Sequence, residues 1–548
     1  MSLLQSFERH VQDRAFKPFL ALYEGDRFQL VSYRDLDVGA RRWARLYRQL
    51  GTPPGEVAVI VLRHSGELYS AFLGAMMAGV IPSYLPFPTV KQDPRLYWEA
   101  HRLLFERIQP RVAVTYADNA DALNAIAAPV GCQLIVAGVD PLPEHDGAPI
   151  VQRGGADLAL LQHSSGTTGL KKGVMLTYGQ IERHVTSYAR SVDFGADDIV
   201  ASWLPLYHDM GLITSFLMPL SVGASVVALD PFEWVAKPMS ILTAIERHRA
   251  THSWQPNFAL AHMTRTRPPA FKADLSSVKA MVSTSEPCKQ STFDAFNAAF
   301  RADGLLPGRL VTSYGMAENV FATTQSSLNR APRSVRIRID ALRSESRAVA
   351  LDSGDARGEV FMSCGRPIDG LEVRIDASPA TEGSPVGEIC VRGDFLFDGY
   401  YKNDEATAAA FDADGWYHSG DIGFLLDGEI FVCGRKKEML IIHGRNFYAN
   451  DIEHAVNDVA GVKPGRTVAF AIYEEETGSE EAVVIVESDL VAASAVRDLK
   501  RTIKQRVYDV LELGLRRVEV VTPGWLVKST AGKVSRSENI KKYMESDA

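Results

Sequence analysis

Cysteine is scarce in this chain: Cys132, Cys288, Cys364, Cys390 and Cys433 are five among 548 residues, odd in number and without C-x-x-C spacing. That excludes a disulfide frame and a zinc ribbon, and fits buried apolar thiols in a reducing compartment. A basic excess is missing too. With 59 Lys and Arg against 67 Asp and Glu, the net charge of −8 leaves no footprint for nucleic acid. Long apolar runs are lacking as well. The longest, Ala71 to Phe87, is cut by Gly79, Pro82 and Pro86, so it reads as a buried helix followed by a strand and not as a membrane span. The first residues hold Glu8-Arg-His10 and Asp13-Arg14, the wrong composition for a secretory leader. A cytoplasmic enzyme is expected. There is no G-x-x-x-x-G-K-[ST] spacing, which removes the P-loop fold from consideration.

Length is what the chain has in plenty: 548 residues are too many for one core, and two or more domains are expected. Through roughly the first 330 residues, helical patterns alternate with short β-branched runs at Glu56–Leu62, Val112–Tyr116, Gln133–Ala137, Ala224–Leu229 and Lys279–Ser283. Such alternation predicts an α/β fold with parallel sheets covered by helices. From Gly358 to Phe431 shorter strands between Gly, Pro and Asp turns predict a small β-rich unit. Beyond Gly434 come strands at Val468–Ile472 and Ala482–Val486. A helix follows with apolar residues at Val496, Leu499, Ile503, Val507 and Leu511, then a strand at Arg517–Val521. Spacings of three and four put one stripe on a core, so a compact α+β domain closes the chain. The expected division is residues 1–434 for the large domain and 435–548 for the small one, with the polar step Gly434-Arg-Lys-Lys437 between them.

The richest local signal is Leu161-Gln-His-Ser-Ser-Gly-Thr-Thr-Gly-Leu-Lys-Lys-Gly-Val174, behind the apolar run Leu158–Gln162, which reads as a buried strand. Glycines such as Gly166 let backbone N–H groups approach a polyphosphate closely. The hydroxyls of Ser164, Ser165, Thr167 and Thr168 add donors, and Lys172 adds a point charge. A loop of this composition is by itself more often a plain connection. Three further motifs follow. Tyr314-Gly315-Met316-Ala317-Glu318 comes after an apolar segment; Tyr417-His-Ser-Gly-Asp421 leads into Gly434-Arg435-Lys-Lys437; Lys528-Ser-Thr-Ala-Gly532-Lys533 stands near the end.

In this order and at these distances the four motifs resemble the adenylate-forming superfamily of acyl- and aryl-CoA synthetases, luciferases and nonribosomal adenylation domains, over nearly the whole chain. The resemblance implies ATP as substrate and Mg²⁺ as cofactor. Glu318 then matches the residue that holds the metal, together with Thr167 of the phosphate loop. Tyr314 matches the aromatic residue packed on adenine, within the ATP-binding run Tyr314–Glu318. Asp421 matches the carboxylate on the ribose hydroxyls, with Arg435 beside it. Lys533 matches the catalytic lysine that reaches in from a mobile small domain, and Lys437 matches the hinge about which that domain rotates. Three positions depart from the common pattern: Lys171 and Val527 stand where proline is usual, and His163-Ser164 where an aromatic-Thr pair is usual.

Five segments resemble the fatty acyl-AMP ligase branch: Ser202–Ile213 with Tyr207-His208-Asp209, Gln255-Pro-Asn-Phe258, Ser285-Glu286-Pro287, Ser363–Pro367, and Gly444–Glu453. That branch activates a fatty acid as acyl-AMP and passes it to the phosphopantetheine thiol of a separate acyl carrier protein. His208 matches the histidine beside the reacting carboxylate, and Ser285, Glu286 and Pro287 belong to the nucleotide site. The 46 residues from 319 to 364 make a long connection after Glu318, and in this branch an insertion restrains the small domain against CoA. Within it Arg333–Leu342 and Arg347–Leu351 alternate apolar and basic residues, as a half-buried hairpin does. Trp254, Phe258 and Met210 are candidates for the lining of the acyl tunnel, and each reads equally well as core. The alternatives are a fatty acyl-CoA synthetase using free CoA, and a non-catalytic acyl- or nucleotide-binding homologue.

Overall fold

The computed structural model describes residues 2–89, 94–145, 147–164, 172–352, 355, 358–442, 445–474, 479–528 and 534–547. Its β-branched runs form strands buried on both faces, which is why they read as continuous apolar segments with no alternation. Six of them run parallel in one sheet, in the order Leu310–Gly315, Ala280–Ser283, His252–Gln255, Ile199–Ser202, Ser225–Ala228, Pro18–Glu24. Antiparallel strands extend both edges: Arg27–Ser32 at one, Ala322–Gln325 and then Arg366–Pro367 at the other. A second, all-parallel sheet holds Ile81–Tyr84, Val57–Ile60, Val112–Tyr116 and Gln133–Ala137, with Ala58 opposite Val112 and Ile60 opposite Val114.

Helices cover these sheets as the pattern predicts. Tyr33–Gln49 starts at Ser32, whose hydroxyl accepts from the Asp35 N–H while the Asp35 carboxylate accepts from the Ser32 N–H. This capping box is worth about 1 kcal/mol. The next helix, Gly66–Met77, is apolar and buried almost throughout, the first half of the interrupted run described above. The two helices touch at Gly74, where a Cβ would lie 2.5 Å from both the Ala40 carbonyl oxygen and the Trp43 Cβ, so only glycine fits. Trp43 is fully buried there, and truncating such a side chain costs about 3–5 kcal/mol.

Between Gly358 and Arg435 the strands are antiparallel, Leu371–Asp376, Gly387–Gly393, Tyr417–Leu426 and Glu429–Arg435 in sheet order. After a single turn at Lys436–Glu438 the chain enters a unit with its own core, in which Leu499, Ile503, Val507 and Leu511 of helix Ala493–Leu511 pack on Thr467–Glu474, Ser479–Glu487 and Leu515–Val521. Val496, expected in that stripe, is only half-buried.

One expectation fails. The segment after Arg333 is not a simple hairpin. Ser334–Arg338 is a strand, pairing with both Gly358–Met362 and Ala350–Leu351, but Ile339–Glu345 is a helix. The alternation of Val335, Ile337, Ile339 and Ala341 runs on into the helix, where Ala341, Leu342 and Arg343 are all buried. Among the described residues no helix is long and apolar enough to cross a membrane.

Candidate active site

The strand Leu310–Gly315 ends at a reversal built by packing. A Cβ on Gly315 would lie 2.2 Å from the Phe321 carbonyl oxygen, so the returning chain fits only against glycine. Ala317–Asn319 makes one tight helical turn, and Val320 then sits at φ 62°, ψ −56° with the Phe321 N–H bonded to the Asn319 carbonyl at 2.6 Å. This is a γ-turn centred on a β-branched residue, a conformation that costs about 1–3 kcal/mol and persists only where surroundings enforce it. It aims Glu318 inward.

Glu318 is buried, and the Tyr400 hydroxyl donates to its Oε1 at 2.9 Å. Lys172 lies over the Tyr400 ring at 4.4 Å. Burial pushes the Glu318 carboxyl above its ordinary pKa, against the pull of the Tyr400 bond and of Arg435 and Lys172. Next to this group, Asp421 accepts from the Tyr314 hydroxyl at 2.7 Å and pairs with the Arg435 Nε at 3.2 Å. The pairing follows from register, since Asp421 stands opposite Arg435 in adjacent antiparallel strands. Burial raises the Asp421 pKa while Arg435 and Tyr314 lower it.

Lys172, Glu318, Tyr314, Asp421 and Arg435 are therefore brought together from four distant stretches of chain. Lys437 is close enough that its charge helps burial to lower the Lys172 pKa. Gly315, Met316 and Ala317 shape the reversal behind Glu318. His208 precedes the turn Asp209–Leu212, its ring 5.0 Å from Tyr207, whose carbonyl accepts from Gln162 at 2.9 Å. A π-turn at Ile213–Leu217 follows, a rare element frequent at functional sites. Ser285 adopts φ 67°, in the left-handed region, Glu286 accepts from the Phe258 N–H at 3.0 Å, and Pro287 is half-buried. Ser164 ends the strand Leu158–Ser164. Ser165, Gly166, Thr167, Thr168 and Lys533 lie outside the described residues.

Two residues of the cluster escaped the sequence. Tyr400 follows Gly399 in an irregular loop, with only its aromatic-Gly context as a signal. Glu388, in Gly387-Glu-Ile-Cys-Val-Arg-Gly393, accepts from the Gly420 N–H and from the Lys436 Nζ, both at 2.9 Å. It thus ties the turn before Asp421 to the step before Lys437. Removing the Tyr400 hydroxyl (Tyr400→Phe) is expected to slow acid-dependent pyrophosphate exchange about tenfold, with a stability change of about 1 kcal/mol, checked by exchange kinetics and thermal melting.

A cavity of about 510 Å³, counted out to its mouth, opens beside Tyr207 between the two parallel sheets. Leu62, Leu68, Leu85 and Phe87 line it from one side, Leu204, Leu206 and Leu229 from the other. Trp254, Phe258 and Met210 do not border this cavity. Trp254 is core and donates to the Tyr188 hydroxyl at 2.7 Å, Met210 is buried, and Phe258 is 45% exposed. Asp376, Cys390 and His418 are the one group of described residues whose possible ligand atoms lie within 4.8 Å of one another. Burial pushes the Cys390 thiol up to about 11 and His418 already stands between Glu388 and Asp412, so this is a satisfied cluster and not a metal site.

Comparisons with known proteins agree with this geometry. The family model for AMP-binding enzymes matches residues 7–401. A protein provisionally named an acyl-CoA synthetase from Caulobacter vibrioides is 30% identical over 95% of this chain and 91% of its own length. The medium-chain-fatty-acid–[acyl-carrier-protein] ligase JamA of Moorena producens is 29% identical over 100% of this chain and 95% of its own. The long-chain-fatty-acid–AMP ligase FadD26 of Mycobacterium marinum is 30% identical over 89% and 87%. A chain from structural work on fatty acyl-adenylate ligases of E. coli and L. pneumophila superposes with a TM-score of 0.90, at 24% identity, over 100% of this chain and 98% of that one. With the clustered carboxylates, the strained turn and the matched motifs, these likenesses make the chain a member of the AMP-binding enzyme family, an ATP-dependent adenylate-forming ligase on its fatty acyl-AMP ligase branch.

Proposed function

We propose that the chain joins a fatty acid to ATP, giving acyl adenylate and pyrophosphate, and then transfers the acyl group to the phosphopantetheine thiol of a separate acyl carrier protein. In the first step a carboxylate oxygen bonds to the α-phosphorus while the bond to the β-phosphate breaks. In the second the thiol sulfur bonds to the acyl carbon, and AMP leaves with the electron pair. Both steps depend on positioning and charge neutralisation more than on covalent chemistry by the protein. Asp421, held by Tyr314 and Arg435, would accept from the ribose hydroxyls. Lys172 and the phosphate loop would hold the polyphosphate, Ser285–Pro287 the nucleotide, and Lys533 the acyl carboxylate and α-phosphate. His208 would stand beside the carboxylate.

Glu318 fits a magnesium site. A buried carboxylate that accepts from a phenol at one oxygen keeps lone pairs for a hard cation, and Mg²⁺ takes one or two carboxylates and completes its shell with phosphates and water. When bound, Mg²⁺ would neutralise charge on the leaving pyrophosphate, with Thr167 as a further ligand. The five buried cysteines suit a reducing cytoplasm.

The observation that carries the choice of acceptor is the anchoring of the inserted helix Ile339–Glu345. Its Arg343 is 5% exposed, donates to the Leu511 carbonyl at 2.7 Å, and lies 4.9 Å from the Phe447 ring. Glu359 stands between Arg343 at 3.8 Å and Lys289 at 3.9 Å, and Lys289 bonds Asp451 at 3.2 Å. Leu511, Phe447 and Asp451 all lie beyond Gly434, in the unit we assign as the small domain, residues 435–548, pivoting at Lys437. Such a clasp supports a restrained small domain and a carrier-borne thiol. Free CoA is the second reading, favoured by the name of the Caulobacter relative.

A charged hydrogen bond of this kind contributes about 1.5–3 kcal/mol. Arg343→Ala is therefore expected to raise acyl-CoA formation tenfold or more while adenylate formation is kept, measured by separating the two products from one reaction. Unchanged CoA use would remove the clasp from the account.

A further inference from the structure

Lys289 stands at the start of helix Gln290–Phe300, two residues after the segment Ser285–Pro287. A lysine so placed ordinarily extends into water. Here its ammonium lies 3.2 Å from Asp451 and 3.9 Å from Glu359, and none of the three side chains is more than 21% exposed. Glu359 also lies 3.8 Å from Arg343. Lys289, Arg343 and Glu359 precede Gly434, whereas Asp451 sits in the first turn of helix Ala449–Asn457, beyond it. Two carboxylates from opposite sides of the domain boundary therefore share one ammonium. The other titratable groups around them stay uncharged near neutral pH. Burial pushes the Cys433 thiol and the Tyr448 phenol up, and lowers the pKa of His454 on the Asp451 helix. Arg445 and Glu512, paired at 3.5 Å, act on Arg343 with opposite sign. On the strand paired with Gly358–Met362, Ile337 is opposite Glu359, so Arg336 and Arg338 point to the other face.

Burial and the facing Asp451 push the Glu359 carboxyl up from its ordinary 4.5 to about 7, against the pull of Lys289 and Arg343. Asp451 acts on it only while the small domain is in place. Tyr448 of that domain shares a core with Phe361 of the Glu359 strand, so undocking also admits water. Both effects lower the Glu359 pKa on release, while Lys289 and Arg343 stay beside it. The closed state thus holds the proton more tightly than the open one, and closure is lost as pH rises through neutrality. We propose that Glu359 is the positioning residue that governs release of the small domain. Uncharged, it leaves Lys289 and Arg343 to hold Asp451 and the Leu511 carbonyl; charged, it repels Asp451 across the boundary and opens the clasp. The proposal rests on the clasp described above and names the group that controls it.

The test reads domain position in the full chain. Dyes for energy transfer would be attached through Val139→Cys and Val491→Cys, positions 64% and 88% exposed, one in each domain, while the five native cysteines are buried. Between pH 6 and pH 8 the open-to-closed ratio is expected to rise about tenfold, as a group with a pKa of about 7 closed and 4.5 open requires. Glu359→Gln should keep the ratio at or below its pH 6 value throughout. Asp451→Asn removes the same repulsion from the other side and should shrink the pH response. Arg343→Ala breaks the clasp by another route and should be open at both pH values. If Arg343→Ala opens the chain but the parent ratio ignores pH, or Glu359→Gln keeps the parental response, the proposal is overturned and the clasp stands. If Arg343→Ala leaves the distance unchanged, the clasp itself has failed and the proposal falls with it.

Discussion

Replacing Lys533 by alanine is expected to lower acid-dependent pyrophosphate release by about 10²–10³-fold, the loss typical when one charge-stabilising donor is removed from a transition state. The expectation rests on the match of Gly532-Lys533 to the motif of the catalytic lysine. On the expectation that Lys533 does not belong to the core, the melting temperature should move by no more than a surface substitution moves it, about 0.5 kcal/mol in stability. Thioester formation from preformed acyl adenylate should suffer less than adenylate formation, because the charge acts where the α-phosphate is attacked. Steady-state exchange, calorimetry and single-turnover transfer from synthetic adenylate read the three quantities separately. Parental exchange rates in Lys533→Ala would end the assignment of this residue.

Glu318→Gln should be as damaging to turnover and opposite in sign for stability. The amide keeps the shape and can still accept from Tyr400, but it has no charge for Mg²⁺ and takes a neighbouring negative charge away from Lys172. Exchange is expected to fall about 100-fold or more, with the magnesium dependence displaced to higher concentration. Stability follows from linkage. Burial raises the Glu318 pKa in the folded state, so ionising it costs folding free energy that appears as the pH climbs above the ordinary value of 4.5. The glutamine variant escapes that cost. It should match the parent near pH 4 and be the more stable of the two at pH 7–8, in melting curves recorded without nucleotide or metal. A variant less stable at pH 8 than the parent would mean that Glu318 is held by stronger partners than Tyr400.

What could be read from the sequence had a local cause. Val57–Ile60, Val112–Tyr116 and Gln133–Ala137 are strands because β-branched residues crowd a short stretch, and that crowding is visible in the letters. Helix Ala493–Leu511 shows its stripe for the same reason. The γ-turn at Val320 has no such signal, since nothing in valine favours positive φ; the close approach of Phe321 to Gly315 imposes it. The start of helix Ile339–Glu345 reads as strand because the alternation of Val335 and Ile337 runs on through Ile339 and Ala341 after the backbone has turned helical. Glu318, Asp421 and Lys172 were recognisable because each sits in a motif, whereas Tyr400 and Glu388 act through pairing that only the fold creates. The cavity beside Tyr207 has no such signal either: its walls come from residues 62–87 and 202–231, and no window of sequence contains both.

The central claim is that the activated acyl group goes to a carrier-bound thiol, and one reaction tests it directly. The full chain would be incubated with ATP, Mg²⁺ and a panel of fatty acids, in one series with CoA and in the other with a phosphopantetheinylated acyl carrier protein. The account predicts acyl-carrier thioester in the second series and acyl adenylate accumulating, with little acyl-CoA, in the first. Rapid acyl-CoA formation with no preference for the carrier would contradict it.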